Sequence, residues 1–305
     1  MKMLEFLLEK VKVHDPLTMA VAVAQDEDVL SAVKQAVSLN LVRAILVGDE
    51  LKIREIAKEI HFDLNHVVIL DETDPAVACA KAVKLVALKE AHILMKGLVD
   101  TAIILRAVLH KEDGLRTESI LSHVSLAQVP AMDRLFLITD AAMNMYPELE
   151  AKKGILRNSL VVANAIGINH PKVGVVCAVE KVNPKMPCTL DAQALSETAK
   201  AGEFENCDVD GPFALDNAVS VLAAKHKGIK TPNAGMSDIL LVPNIEAGNM
   251  LYKSVTFFAG GNAAGLIVGA KAPIVLTSRA DSDQNKLVSI ALSAVMAAHL
   301  KNLEE

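Results

Sequence analysis

The sequence predicts an α/β protein built as two α/β domains with a cleft between them. Three observations carry this expectation. Short, continuous, β-branched apolar runs alternate with segments of helical periodicity along most of the chain, which is the pattern of parallel sheets covered on both faces. The 305 residues give room for about two domains of ordinary size. Polar and small residues recur just after the apolar runs, at the strand ends where open α/β sheets hold their ligands.

The elements follow in order. Met1–Asp15 alternates Leu and Phe with Lys and Glu and reads as a short amphipathic helix; it lacks the continuous apolar stretch and cleavage site of a signal peptide. Leu17–Ala24 is a strand, and Asp26–Leu39 a helix with Val29, Ala32, Val33, Ala36 and Val37 at helical spacing. Arg43–Gly48 is a second strand, Leu51–Ile60 a helix, His66–Leu70 a third strand, Pro75–Lys89 an Ala-rich helix and His92–Lys96 a fourth strand. Between Gly114 and Pro130 the character breaks, with Gly, Thr, Ser, His and Gln clustered before the strand Leu135–Thr139. Pro147–Ile166 is helical, Val173–Ala178 a strand and Leu190–Ala201 a helix. Ile239–Val242 and Gly265–Val268 are buried strands flanking a helix at Asn249–Phe258, and Pro273–Thr277 leads into a final helix at Asp283–Leu303.

Composition removes several classes of function. Aromatics make up 3% with no Trp, too few rings for a single-strand nucleic-acid platform. The net charge of −6 repels a phosphate backbone at long range. A small anion remains compatible, since local cations and helix N-termini outweigh a mild global charge. Cys79, Cys177, Cys188 and Cys207 are widely spaced without CxxC pairing and read as reduced thiols of a cytoplasmic protein. The longest apolar stretches are too short or interrupted to span a bilayer. No G-x-G-x-x-G, G-x-x-x-x-G-K-[ST] or G-x-S-x-G motif is present, and the nine histidines lack metal-site spacing.

Four stretches have the composition of ligand sites. In PIVLTSRADSDQNK, Pro273–Lys286, a strand ends at Thr277 and a helix starts near Asp283 with Ser282 as N-cap. Such a turn aims backbone N–H groups and a helix dipole at an anion, and Arg279 adds a two-pronged donor. Arg279 equally fits a surface pair with Asp281 or Asp283, and spacing leaves both readings open. In Asn244–Gly269, EAGN and Lys253 precede GGNAAG at Gly260–Gly265, which either admits a ligand to the backbone or only permits tight packing. In Cys207–Ala218, Asp210-Gly211-Pro212 reads as a loop and Asp216 as a helix cap. Lys96-Gly97-Leu98-Val99-Asp100-Thr101 again places polar residues just after a strand.

These same residues carry a resemblance. EKVNPKMPCTLDAQ at Glu180–Gln193, DGPFALDNA at Asp210–Ala218, VPNIEAGNMLYKS at Val242–Ser254 and GGNAAGLIVGAKAPIVLTSRADS at Gly260–Ser282 resemble the phosphate acetyl/butyryltransferase family, as do KGLVDT at Lys96–Thr101 and SHV at Ser122–Val124. The resemblance runs over nearly the whole chain and lies with the butyryl branch. It implies two α/β/α domains similar to isocitrate and isopropylmalate dehydrogenases, 1–138 with 274–305 and 139–273, and an active site between them. It also implies a homodimer or higher homo-oligomer, acyl-CoA and phosphate as substrates, coenzyme A as substrate rather than cofactor, no metal, and no nucleic-acid or membrane partner.

The implied reaction moves an acyl group between coenzyme A and inorganic phosphate without an acyl-enzyme. By resemblance Arg279 holds phosphate or the oxyanion, with Ser278 assisting. Substrate contacts fall to Lys96, Asp100, Asp210, Asn249, Lys253, Gly260, Gly261, Asn262, Thr277 and Ser282. By the same resemblance, acetyl-transferring relatives carry an Asp a few residues into the final helix, proposed as the thiol's base; Asn285 stands at that place here, so either Asp281 or Asp283 supplies the base, with Asp281 preferred, or thiol deprotonation comes from elsewhere. The competing readings are a phosphate acetyltransferase, a binding protein for coenzyme A or acyl phosphate without turnover, and a metal- and NAD-dependent hydroxy-acid dehydrogenase on the same architecture.

Overall fold

The structure is a computed structural model that describes residues 3–12, 15–276 and 282–304. By internal contacts the chain divides into two units, Met1–Ser119 with Ala264–Glu305, and Ile120–Ala263. The divisions fall at 119/120 and 263/264, ahead of those set out from the resemblance. β5 (Ser122–Gln128) pairs antiparallel with β6 (Phe136–Thr139), Val124 opposite Thr139, so this ladder belongs to the second unit as a whole.

The first unit opens with α1 (Met3–Val11), β1 (Leu17–Ala22), α2 (Glu27–Ser38), β2 (Val42–Gly48), α3 (Glu50–Glu59), β3 (Val68–Asp71), α4 (Pro75–Ala87), β4 (Ile93–Lys96) and α5 (Thr101–Val108). The second holds β5, β6, α6 (Leu149–Ala165), β7 (Lys172–Val176), α7 (Pro187–Lys200), β8 (Asp208–Phe213), α8 (Leu215–Val219), α9 (Val221–His226), β9 (Ile239–Leu241) and α10 (Ile245–Phe257). The chain then forms β10 (Asn262–Val268), β11 (Ile274–Val275) and α11 (Asp283–Glu304).

In the first unit the strands lie in the order β3-β2-β1-β4-β11-β10. The first five run parallel and β10 pairs antiparallel with β11, Ile267 opposite Ile274. Helix starts are set chemically. Asp26 accepts a bond from Val29 N at 2.9 Å to open α2, and Asp74 accepts from Ala76 N and Val77 N to open α4, with Pro75 in its first turn. In α1 the buried residues are Met3, Leu7 and Val11, one stripe at a spacing of four. α11 is buried through Leu287, Val288, Ile290, Ala291, Leu292, Ala294 and Val295. A helix apolar on every side must be enclosed, and α1 and α2 both pack against it.

In the second unit the order is β5-β6-β9-β7-β8. The core joins Phe136, Ile138, Leu240, Val242, Phe213 and Val255. Three sequence readings change here. The polar segment read as a break contains the buried strand β5, whose Ser122 and Ser125 are fully enclosed. Asp210-Gly211-Pro212, read as a loop, lies within β8, where the ladder slips between Gly174 and Val176 to admit the proline. Asp216 is not the N-cap of α8; Ala214 holds that position, and Asp216 accepts instead from Asn217 N at 3.0 Å.

The stretch 180–193 is mostly structural. Thr189, fully buried, accepts from Asn183 N at 2.9 Å and donates to carbonyls of Asn183 or Met186, which closes the turn before α7. Asp191 pairs with Lys152 at 2.6 Å, the lysine side chain only 5% exposed. That contact ties α6 to α7, and Asp191→Ala strands an ammonium in the interior. The expected loss is about 3 kcal/mol in urea unfolding, with the double Lys152→Met/Asp191→Leu variant recovering most of it. A midpoint unchanged in the single variant would show that the pair carries no stability.

Candidate active site

In the first unit the candidate residues converge on the carboxyl edge of the sheet. Lys96 ends β4 and is buried, opposite Ala22 at the end of β1. Its Nζ donates to the carbonyls of Gly97 at 3.2 Å and Val99 at 3.0 Å. The turn that follows is clamped to β1, because Gly97 N donates to Ala22 O and Leu98 N to Val23 O, each at 2.8 Å. Only glycine fits at 97, since a Cβ would lie 2.2 Å from Val23 O. Val23 itself has φ +57°, a left-handed conformation that a β-branched residue adopts at a cost of about 1–3 kcal/mol.

The same edge gathers two helix N-termini. Asp100 occupies the N-cap position of α5 without a side-chain capping bond and is exposed. β11 pairs Val275 with Met95, so the described chain reaches this edge at Leu276 and resumes at Ser282. Ser282 caps α11 as the sequence indicated: its Oγ accepts from Asn285 N at 3.3 Å and its carbonyl from Lys286 N at 3.0 Å. Lys286 is buried and reaches Asp28 of α2 at 3.4 Å, which anchors the first turn of α11. Asn285 is half-buried in that turn. Thr277, Ser278, Arg279 and Asp281 lie outside the described residues.

In the second unit a polar cluster sits at the carboxyl ends of β6 and β9. Thr139 Oγ1 donates to His123 O at 2.9 Å. Asp140, 2% exposed, accepts through Oδ1 from Ala142 N and Met143 N and through Oδ2 from Asn144 Nδ2. His123 is buried and meets Tyr252 edge-on, ring centres 5.8 Å apart. Lys253 Nζ lies 5.8 Å from the Tyr252 ring centre, and Asn249 Nδ2 donates to Ala141 O at 3.3 Å. α10 approaches closely because Gly248 has no side chain; a Cβ there would lie 2.5 Å from Asp140 O.

Asn249 and Lys253 are thus brought together with His123, Asp140 and Tyr252, none of them named as a candidate site residue, although His123 lies in SHV and Tyr252 in VPNIEAGNMLYKS. A lone histidine and a lone aspartate have no distinguishing spacing; their one signal was position, His123 within the segment read as a break and Asp140 just after the strand that follows it. Other candidates are set apart. Gly261 packs against the far end of β5, where a Cβ would lie 2.3 Å from Gln128 O, about 17 Å along the strand from His123. Gly260, with φ +60°, and exposed Asn262 flank it. Asp210 is buried opposite Gly174 on β8, three strands from β6 and so about 14 Å away.

The chain resembles known proteins over most of its length. The family model described as phosphate acetyl/butaryl transferase matches residues 2–78 and 76–294. The chain belongs to this family. A phosphate butyryltransferase of Clostridium beijerinckii is 52% identical over 97% of this chain and 98% of its own. A phosphate acetyltransferase of Rhizobium meliloti is 42% identical over 96% of this chain and 92% of its own. The crystal structure of a branched-chain phosphotransacylase from Enterococcus faecalis superposes with a TM-score of 0.82 at 35% identity, covering 92% of this chain and 99% of the other. Membership makes the chain a phosphate acyltransferase, on the dehydrogenase-like α/β fold of the phosphotransacylases.

In this family member the clamp at Gly97 is the most exacting local fit around a candidate residue. Gly97→Ala is expected to lower stability by about 1–3 kcal/mol, because a backbone carbonyl cannot yield as a side chain would. It should also lower phosphate acyltransferase activity beyond the loss explained by unfolding, since the displaced turn carries Lys96. Unfolding curves and rates measured on the folded fraction separate the two effects; an unchanged specific rate would detach this turn from the chemistry.

Proposed function

We propose that the chain exchanges a short acyl group, butyryl preferred, between coenzyme A and inorganic phosphate by direct transfer within a ternary complex. The observation that carries this reading is the near-complete match to the Clostridium phosphate butyryltransferase, 52% identical, ahead of the 42% found with the acetyl-transferring relative. In one direction a phosphate oxygen attacks the thioester carbonyl carbon, the C–O bond forms, the C–S bond breaks, and coenzyme A leaves as thiolate and takes up a proton. In the other, a base removes the thiol proton, the thiolate attacks the acyl-phosphate carbonyl, and phosphate leaves. No cofactor enters either direction.

Arg279 holds the phosphate or the oxyanion, Ser278 assists, and Asp281 serves as base. Lys96, Asp100, Thr277 and Ser282 contribute the surroundings of the anion. Support comes from the carboxyl edge of the first sheet, where a buried ammonium and the N-termini of α5 and α11 favour negative charge. In the second unit Asn249 bonds Ala141 O, and Lys253 lies beside Tyr252, the ring that packs on His123. Burial raises Cys79 and Cys207 to about 11 and Cys177 to about 12, which withholds the thiolate that a covalent route through any of these three would need.

The chain acts in the cytoplasm as a homodimer or larger homo-oligomer. Its four free cysteines suit a reducing compartment, and among the described residues no helix is long and apolar enough to cross a membrane. Phe257 and Phe258, 69% and 89% exposed at the end of α10, give an apolar surface that a second copy would cover. Acetyl preference is the competing reading, favoured by the Rhizobium relative, because one methylene is worth only about 1–3 kcal/mol in a pocket.

Phosphate-dependent release of coenzyme A from acetyl-, propionyl-, butyryl- and isobutyryl-CoA tests the reading. Butyryl-CoA is expected to give the highest kcat/KM, and Arg279→Ala to lower kcat by about 10²–10³. A higher kcat/KM with acetyl-CoA would establish the competing preference. Activity that survives in the variant would move the anion site elsewhere, and no release from any thioester by folded protein would overturn the proposal.

A further inference from the structure

Of the free cysteines, two meet. Cys177 follows β7 and Cys188 lies in the first turn of α7. The Cys177 thiol donates to the Cys188 carbonyl at 3.3 Å. The Cys188 side chain is its neighbour as well: burial first, then the charge of Cys188 and a hydrogen bond with it, raise Cys177 to about 12. Cys79 answers instead to burial and the Lys96 ammonium, and Cys207 to burial and the Asp208 carboxylate. Nothing in the proposed acyl transfer uses the Cys177–Cys188 pair, so its chemistry is independent of that reading.

Both residues are held in place by bonds that do not involve sulfur. Cys177 N donates to Phe213 O at 2.6 Å, which ties it to the end of β8. Cys188 is followed by the fully buried Thr189, whose hydroxyl closes the turn before α7 through Asn183 and Met186. Groups fixed in this way react without the entropy cost of finding each other. Their access to solvent differs. Cys177 is 7% exposed, whereas Cys188 is half-buried, so a small solute reaches Cys188 first.

We infer that Cys177 and Cys188 form an oxidisable dithiol that takes hydrogen peroxide as its oxidant and becomes an intramolecular disulfide. The Cys188 sulfur attacks one peroxide oxygen; the S–O bond forms, the O–O bond breaks, and the other oxygen leaves with the thiol proton as water. The Cys177 sulfur then attacks the sulfenic sulfur of Cys188. The S–S bond forms, the S–O bond breaks, and hydroxide leaves with the Cys177 proton as a second water. The two thiols together give up an electron pair, and the peroxide is reduced to water. Burial keeps Cys177 protonated until the hydroxide takes its proton, so the second step is the slower one. The product exchanges the S–H···O bond at the start of α7 for a covalent tie to β7, and thiol reductants reverse it by exchange.

Hydrogen peroxide in small molar excess over the full-length protein, followed by alkylation and non-reducing tryptic mapping, tests the site. Lys181 and Lys185 lie between the two cysteines, so trypsin places them on separate peptides. The expected result is one linkage, Cys177 to Cys188, formed at least roughly tenfold faster than Cys79 or Cys207 is lost and removed by dithiothreitol. Cys188→Ser is expected to leave Cys177 reduced. Cys177→Ala is expected to stop at a Cys188 sulfenic acid, captured by dimedone. Thermal melting verifies the folding of each variant, and the wild-type map together with Cys188→Ser decides the matter if Cys177→Ala does not fold. Alkylated Cys177 and Cys188 after oxidation of the folded protein, or a linkage seen only after unfolding in urea, would overturn the pair. Dimedone capture on Cys177 in Cys188→Ser would overturn the order of attack.

Discussion

A buried ammonium at the end of a parallel strand sets terms for much around it. The Lys96 side chain has left water, and an isolated charge so placed costs several kcal/mol unless acceptors are aimed at it. Two carbonyls of its own turn, those of Gly97 and Val99, meet that need, but only if the turn curls tightly over the strand end. The curl brings Gly97 against Val23, which is why residue 97 has no side chain and why Val23 is held in a left-handed conformation. The strain at Val23 is sustained by the bonds on either side, Leu98 N to Val23 O and Ala24 N to Val47 O. Charge, glycine and strained valine form one mechanical unit spread over β1, β2 and β4.

The proposed anion site draws on the same economy of parts. α11 is buried on nearly every face, which fixes its axis, and the Lys286–Asp28 pair fixes its first turn against α2. A helix held so firmly presents its N-terminal amides in a constant direction, and preorganised donors are what stabilise charge developing in a transition state. Asn285 sits within this rigid turn, its backbone N–H committed to Ser282. An amide side chain there cannot accept a thiol proton, but it can donate a hydrogen bond to an anion.

Much of the first unit was legible in the sequence because local and global signals agree there. Asp26 and Asp74 mark the helix starts, β-branched runs mark β1, β2 and β4, and the spacing of apolar residues marks α2 and α11. The second unit was less legible where burial and polarity part company. β5 reads as SHVSLAQ, polar at every second or third residue, yet it is buried along most of its length. Its polar groups are met from elsewhere: Asn158 Nδ2 donates to Ser122 Oγ at 2.8 Å, and His123 packs on Tyr252. Such partners lie far off in sequence, so no local window reveals them. α5 escaped notice for the opposite reason, since TAIILRAV is apolar enough to read as strand or helix alike. Among the candidate residues, motif reading named Lys96 at a strand end, Asn249 on α10 and Ser282 at a helix start. It could not tell a glycine that admits a ligand from one that admits Gln128, because both demand only the absence of a Cβ.

The glycines make the limit of motif reading concrete. Gly97, Gly248 and Gly261 each stand where a Cβ would meet a backbone carbonyl, at 2.2, 2.5 and 2.3 Å. All three lie in or beside stretches that carry the family resemblance. Their geometry gives the same physical reason for each, the close approach of two backbones, and that reason concerns folding before chemistry. What separates them is the neighbour. Gly97 brings a turn bearing a buried lysine to the edge of one sheet, and Gly248 brings α10, with Asn249 and Tyr252, to the edge of the other. Gly261 brings only the chain itself, back along β5 and away from the polar edge of the second sheet. A glycine in a shared motif therefore argues for function only through the side chains that its close approach delivers.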